Sequence, residues 1–237
     1  MKNTEIIFVI DASGSMAHLV NDTIGGFNGF IESQKAIEGK ATLTTVLFDS
    51  TWKLLHDGVD VHEVKPMTKS DYVAGGMTAM LDAIGDIINK VQDRYDELGV
   101  EKPEEVLFVI TTDGEENSSH KFTKSQIEKM IKHQTNGHGW KFMFLGANMD
   151  AVKEAKDLGI NGNYATNYAY DAKGTTNVYT TMSAVTSSVR GCVDSLVGEI
   201  GDEFVLAAAY DKVSAADSTV NTLGSLSGSI DAITTVD

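Results

Sequence analysis

Short apolar runs alternate with stretches of helical period along the first 170 residues of the chain. Ile6-Ile7-Phe8-Val9-Ile10 and Val106-Leu107-Phe108-Val109-Ile110 are uninterrupted and rich in β-branched residues, as strands buried on both faces are. Ala41 to Phe48 and Trp140 to Leu145 read the same way, the latter closed by Gly146-Ala147-Asn148. Trp52 to His56, followed by Val59 and Val61, predicts an edge hairpin with Asp57-Gly58 as its turn, and 163–168 a last edge strand. Ile24, Phe27 and Ile31 mark a helix that stops near Gly39. Leu81, Ile84, Ile88 and Val91 mark another that opens at or just after Thr78 and ends near Leu98-Gly99. Thr123 and Gln126 have capping-box spacing ahead of Ile127, Met130 and Ile131. Met149 to Leu158 predicts a short helix with Gly159 as its stop. The alternation predicts an α/β fold, a doubly wound and mostly parallel sheet with helices on both faces.

After residue 170 the character changes, which divides the chain into a domain at 1–170 and an extension at 171–237, helical or partly disordered. Thr, Ser, Ala, Val and Gly dominate the extension, and its basic residues are Lys173, Arg190 and Lys212. Val178, Met182, Val185 and Val189 predict a final helix packed on the domain. Phe204 to Tyr210 is a second compact apolar segment. Val213, Ala216, Val220, Leu223, Ile230 and Ile233 continue a near-heptad rhythm that suits either a cover for the domain's own surface or self-association. Gly198, Gly201, Gly224 and Gly228 argue against one long helix.

Composition narrows the classes. At 237 residues, 42% hydrophobic and 22% charged, the chain can bury one sizeable core plus an appendage. A formal charge of −15 argues against nucleic acid and against anionic membrane surfaces as partners. Cys192 is the one cysteine, so neither an intrachain disulfide nor a thiolate zinc cage is available, and it reads as a small apolar residue. No apolar run approaches the ~20 residues needed to cross a bilayer. Met1 to Glu5 lead straight into the first strand, so the expectation is no cleavable signal and a place in the cytoplasm or a phage particle.

Three segments carry candidate chemistry. Asp11-Ala-Ser-Gly-Ser15 follows the first apolar run and offers one carboxylate and two hydroxyls at alternate positions. Taken alone it is a turn sequence. Thr78 stands at a helix start, where it also reads as an N-cap. Asp113 follows the run ending at Ile110 and so reaches the carboxyl end of a second buried strand, the edge where open α/β sheets bind ligands. Together these donors are hard oxygens, suited to Mg²⁺, Mn²⁺ or Ca²⁺. Glu115 and Glu116 read as a solvated acidic pair, and His120 and Lys121 as surface loop. Met16, Met77 and Met80 flank the segments as either core or adaptable contact surface.

Asp-x-Ser-x-Ser, a Thr some sixty residues on and an Asp after a further apolar strand resemble the von Willebrand factor A domain family over roughly residues 4–168. The resemblance implies that family's metal ion-dependent adhesion site, formed by Asp11, Ser13, Ser15, Thr78 and Asp113 with no substitution. It further implies hydroxyls on the ion directly, carboxylates through water, and an open position taken by a Glu or Asp carboxylate of a protein partner. The expected function is therefore a divalent-metal-dependent protein-binding module in a cytoplasmic or phage assembly. A structural virion, tail or scaffold component with an incidental metal site is the alternative. A metal-dependent hydrolase fits less well. Ser13 and Ser15 are committed as ligands, no His lies in the three segments, and neither a Gly-x-x-x-x-Gly-Lys loop nor an Asp-x-Asp is present.

Overall fold

The computed structural model of the chain describes residues 1–97, 102–191 and 204–216. The first apolar run becomes β1 (Thr4–Asp11), buried along its whole length. It lies inside a six-stranded sheet, with β2 (Ala41–Phe48) and then β3 (Trp52–Asp60) on one side. On the other side follow β4 (Glu105–Thr112), β5 (Lys141–Gly146) and β6 (Ala165–Asn167). Among the described strands β3 alone runs antiparallel, as an edge. The sheet is therefore mostly parallel, as the alternation predicts.

Because successive side chains of a strand point to opposite faces, β1 feeds two cores. Ile6, Phe8 and Ile10 pack with α1 (Val20–Lys35) and α5 (Ala172–Val189). Ile7 and Val9 pack with α2 (Met80–Glu97), α3 (Lys124–His138) and α4 (Ala151–Asp157). The capping box at Thr123 and Gln126 forms as predicted. Gly159 stops α4 with a positive φ of 83°.

The Asp57-Gly58 turn does not form. The hairpin instead joins β2 to β3 ahead of Trp52, and Asp57-Gly58 lies inside β3. Gly58 takes a φ of 59° where the β2–β3 register shifts, and its N–H donates to Thr44 Oγ1 (3.0 Å). The positive φ that an Asp-Gly turn requires serves a bulge equally well, and pattern alone does not separate the two.

The packed body continues past residue 170. The predicted final helix is α5, with Val178, Met182, Val185 and Val189 all buried against the face of β1. Phe204, Leu206 and Ala209, at the start of a helical segment over 206–216, join the same core. Arg190, just beyond α5, is fully buried. Its guanidinium donates to the carbonyls of Gln34 (2.7 Å), Ile37 (3.1 Å), Glu38 (3.4 Å) and Gly39 (3.1 Å), closing the end of α1. Leu98, Gly99, Cys192, Gly198, Gly201 and the near-heptad rhythm from Val220 to Ile233 lie outside the described residues. Among the described residues no helix is long and apolar enough to cross a membrane.

Helices α1 and α5 approach closely at Gly26, where a Cβ would sit 2.3 Å from Tyr179 Cδ2. Tyr179 is itself buried and has no free direction to move. Gly26→Ala should therefore lower stability by about 1–3 kcal/mol through overpacking, set against roughly 1 kcal/mol of gained helix propensity. Thermal unfolding checks this, and an unchanged midpoint would mean that the helices can part.

A pH effect follows from His56 on β3, which stacks on Phe27 with ring centroids 6.2 Å apart and has a buried Nδ1 without a hydrogen-bond partner. Burial lowers its pKa below the ordinary 6.5, although Asp71 and the Lys65 backbone pull the other way. A depressed folded-state pKa means the unfolded chain binds the proton first. Stability should then fall as pH drops below about 6.5. His56→Phe should flatten that part of the urea-midpoint profile.

Candidate metal centre

Strands β1 and β4 are neighbours in parallel register, with Ile10 beside Thr111, so their carboxyl ends emerge together. From β1 the chain passes through α1, on one face of the sheet, to β2, and from β4 through α3, on the other face, to β5. The ends of β1 and β4 therefore open at a switch point, where the main chain leaves a crevice. Asp11 is the last residue of β1, and Asp113 is the first residue after β4.

Asp11 folds its own loop. Its Oδ1 accepts the Ser13 N–H (2.7 Å), a turn that Asp and Ser favour, and its Oδ2 accepts the Thr112 hydroxyl (2.6 Å) from β4. The chain then enters a 3-10 turn, Gly14–His18, that carries Ser15. Ser13 Oγ and Ser15 Oγ are 3.0 Å apart, and Ser15 Oγ donates to Asp113 Oδ1 (2.7 Å). Thr78 arrives on a separate segment. That segment is clipped to the first loop by Gly75 N–H to Ala12 O (2.9 Å) and Gly14 N–H to Gly76 O (3.2 Å). A Cβ on Gly114 would come within 3.9 Å of Thr78 Oγ1, so the segment after Asp113 runs alongside the threonine hydroxyl. All five sequence-predicted donors thus lie on segments that meet at one crevice.

Does the set fit a divalent cation? Asp11, Ser13, Thr78 and Asp113 are buried, while Ser15 is exposed at the mouth. Burial, with a smaller contribution from Asp113, pushes the Asp11 carboxyl above its ordinary range against its bonds from Thr112 and Ser13. Asp113 Oδ2 is buried with no hydrogen-bond partner. Buried carboxylate oxygens are normally paired, and an unpaired one beside a second carboxylate and three hydroxyls calls for a cation. The donors are all oxygen, which suits Mg²⁺, Mn²⁺ or Ca²⁺. The residues fit.

Thr78 does not serve as the N-cap of α2. The Leu81 N–H goes to Glu116 Oε2 (2.9 Å) and the Asp82 N–H to Ser119 Oγ (3.1 Å). Thr78 is held by its backbone instead, through Asn117 Oδ1 (2.9 Å) and the Asn117 N–H (3.1 Å). Glu116 is therefore no solvated acid: its Oε1 also accepts the N–H groups of Ser118 (2.8 Å) and Ser119 (2.7 Å). Asp82 accepts the N–H groups of His120, Lys121 and Phe122, each at 2.9 Å. Glu115 is exposed, as expected of it. Met16 and Met80 are core, and Met77 is at the surface.

Sequence reasoning missed three tyrosines that brace these loops. Tyr72 donates to Asp11 O (2.5 Å), Tyr168 to Thr112 O (3.5 Å) and Tyr170 to Ser15 O (2.5 Å). Tyr170 also meets the His18 ring edge-on at 4.5 Å. Burial, then Asp113, pushes the Tyr170 phenol up to about 12, so it remains a proton donor. No motif announces these residues, because each acts on a main-chain carbonyl far away in sequence.

No protein-family model matches the sequence, and no curated protein is significantly similar to it. Solved structures are similar in fold. The PilB minor pilin from Streptococcus sanguinis superimposes with a TM-score of 0.57 at 11% identity, over 77% of this chain and 60% of that one. A von Willebrand factor type A protein from Catenulispora acidiphila gives 0.52 at 15%, over 79% and 43%. Proximal thread matrix protein 1 from the mussel byssus, solved with a zinc-occupied MIDAS motif, gives 0.53 at 14%, over 77% and 45%. The chain thus spans from under half to about three-fifths of these proteins' lengths. Its fold is that of von Willebrand factor A domains.

Proposed function

We propose that the chain is a divalent-metal-dependent protein-binding module, whose ion bridges to a Glu or Asp carboxylate of a partner protein in a cytoplasmic or phage assembly. The observation that carries this reading is Asp113 Oδ2, a buried carboxylate oxygen without a partner among converging hydroxyls. Asp11, Ser13, Ser15, Thr78 and Asp113 would hold Mg²⁺, with Mn²⁺ or Ca²⁺ as alternatives. When bound, such an ion supplies a Lewis-acidic position for an anionic oxygen from outside. The chain's own residues hold the donors in place. Asp11 and Thr112 lock the first loop to β4, and Tyr170 fixes the Ser15 carbonyl. Zinc in the MIDAS motif of the byssus protein supports the assignment of a metal to this fold position.

A binding role is supported by the engagement within the donor set of Ser13 and Ser15, the hydroxyls that would otherwise be candidate nucleophiles. In an acidic chain of net charge −15, a partner carboxylate has reason to approach only where a cation awaits it. A pulldown from host lysate in Mg²⁺ should lose its partner on chelation with EDTA. Retention through chelation would overturn the bridge and leave the fold as a spacer.

A further inference from the structure

The surroundings of the candidate site are unlike the rest of this acidic chain. Across 11–18, 73–78 and 111–117, Asp11 and Asp113 are buried and Glu116 is folded into its own loop, which leaves Glu115 as the exposed carboxylate. The segment that delivers Thr78 also carries Val73, Gly76 and Met77, which bear no charge. Val73 is 67% exposed and Met77 53%, and they are two of the four exposed large hydrophobic residues among the described residues. Large exposed apolar side chains grouped at a ligand site mark a contact surface.

A cavity of 380 Å³ opens directly beside them, between the end of β2, the start of β3 and the loop ahead of Gly76. Leu47, Trp52 and Val73 give it apolar wall, and it reaches Ala12 in the first metal loop. Asp49 and Asp71 line it as well, with Lys53, and this balance of charge disfavours a second carboxylate there. Charge therefore leaves the surface one place for an anionic oxygen, at the five donors, and an adjoining place that repels a second one and offers apolar wall instead.

We propose that the partner presents its bridging carboxylate next to a large apolar side chain, which packs on Val73 and Met77 and enters this cavity. This rests on the metal-bridge reading and specifies the partner: an acidic residue with an aliphatic or aromatic neighbour on one protein segment. Val73 and Met77 are contact residues and take no part in holding the ion.

The test uses displayed random peptides with a fixed Glu, selected on the full chain in millimolar Mg²⁺ and eluted with EDTA. Leu, Ile, Met or Phe should be enriched beside the Glu. The Val73→Ser/Met77→Ser double variant should bind the selected peptide about tenfold or more weakly, as loss of two apolar contacts implies, while Mn²⁺ alone binds it as well as the parent chain. Charged or indifferent flanks would overturn the proposal, as would a double variant that binds the peptide undiminished. Peptides that stay bound in EDTA would instead bring down the metal bridge itself, and the proposal with it.

Discussion

Asp113→Ala should weaken Mn²⁺ binding by at least about 100-fold, or about 2.7 kcal/mol, and yet unfold no more easily than the parent chain in metal-free buffer. The two halves have one cause. Asp113 Oδ1 accepts the Ser15 hydroxyl, and its second oxygen is buried without a partner. Removing a buried carboxylate that nothing neutralises relieves the folded state of an unpaired charge. The same removal takes away one of two carboxylates from the donor set, and even outer-shell changes at metal sites typically cost about 10–100-fold in affinity. Calorimetric titration with Mn²⁺ and urea unfolding in EDTA measure the halves separately. Metal at 100 times the parent's Kd should raise the parent's stability by about 2.7 kcal/mol and the variant's by no more than about 0.4 kcal/mol. A variant that binds Mn²⁺ like the parent would remove Asp113 from the site. Asp11→Ala differs in kind, because Asp11 also ties β1 to β4 through Thr112 and shapes its own turn through Ser13. Its loss should cost binding and stability together.

The largest loss of stability is expected from Arg190→Ala, about 3–5 kcal/mol. The side chain is buried and its guanidinium serves the carbonyls of Gln34, Ile37, Glu38 and Gly39 at once. The Gln34 carbonyl belongs to the last turn of α1, the other three to the turn that follows it, and truncation leaves the buried Gln34 carbonyl short of its strongest partner. Arg190→Lys should recover little, since a single ammonium lacks the planar fork that spans several acceptors. Urea midpoints for both variants decide the matter. A loss below about 1 kcal/mol would show that water replaces the guanidinium without penalty. If the loss is as large as expected, a chain ending before Arg190 would also lose the closure of α1, although α1 itself lies far earlier in sequence.

Much of this was legible beforehand, for a physical reason. A strand buried on both faces must be apolar throughout, so β1 and β4 announce themselves. Polar residues directly after such strands are conspicuous for the same reason, as Asp11, Ser13 and Asp113 are. The helices speak through period and caps, and Thr123 with Gln126 closes as its spacing says. What stayed hidden depends on contacts between distant residues. Gly58 looks the same in a turn as in a bulge, because both need only the positive φ. Glu116 and Asp82 look like surface acids until their N–H partners are brought to them. Tyr170 meets Ser15 across 155 positions of chain, and Arg190 meets α1 across a similar span. Composition sets the last sixty-odd residues apart, yet α5 supplies core as fully as any earlier helix.

The loop from Gly114 to Phe122 is fastened by its own N–H groups, which Asp82 and Glu116 grip and which every residue except proline carries, and by the side chains of Glu116, Asn117 and Ser119, which take the N–H groups of Leu81, Thr78 and Asp82. Glu115 and His120, both exposed, contribute nothing to that grip through their side chains that the geometry requires. In engineering terms the loop is a rigid mount with interchangeable heads. A library randomised at 115 and 120 would retune which partners are admitted without loosening the frame that holds Thr78 and Asp113.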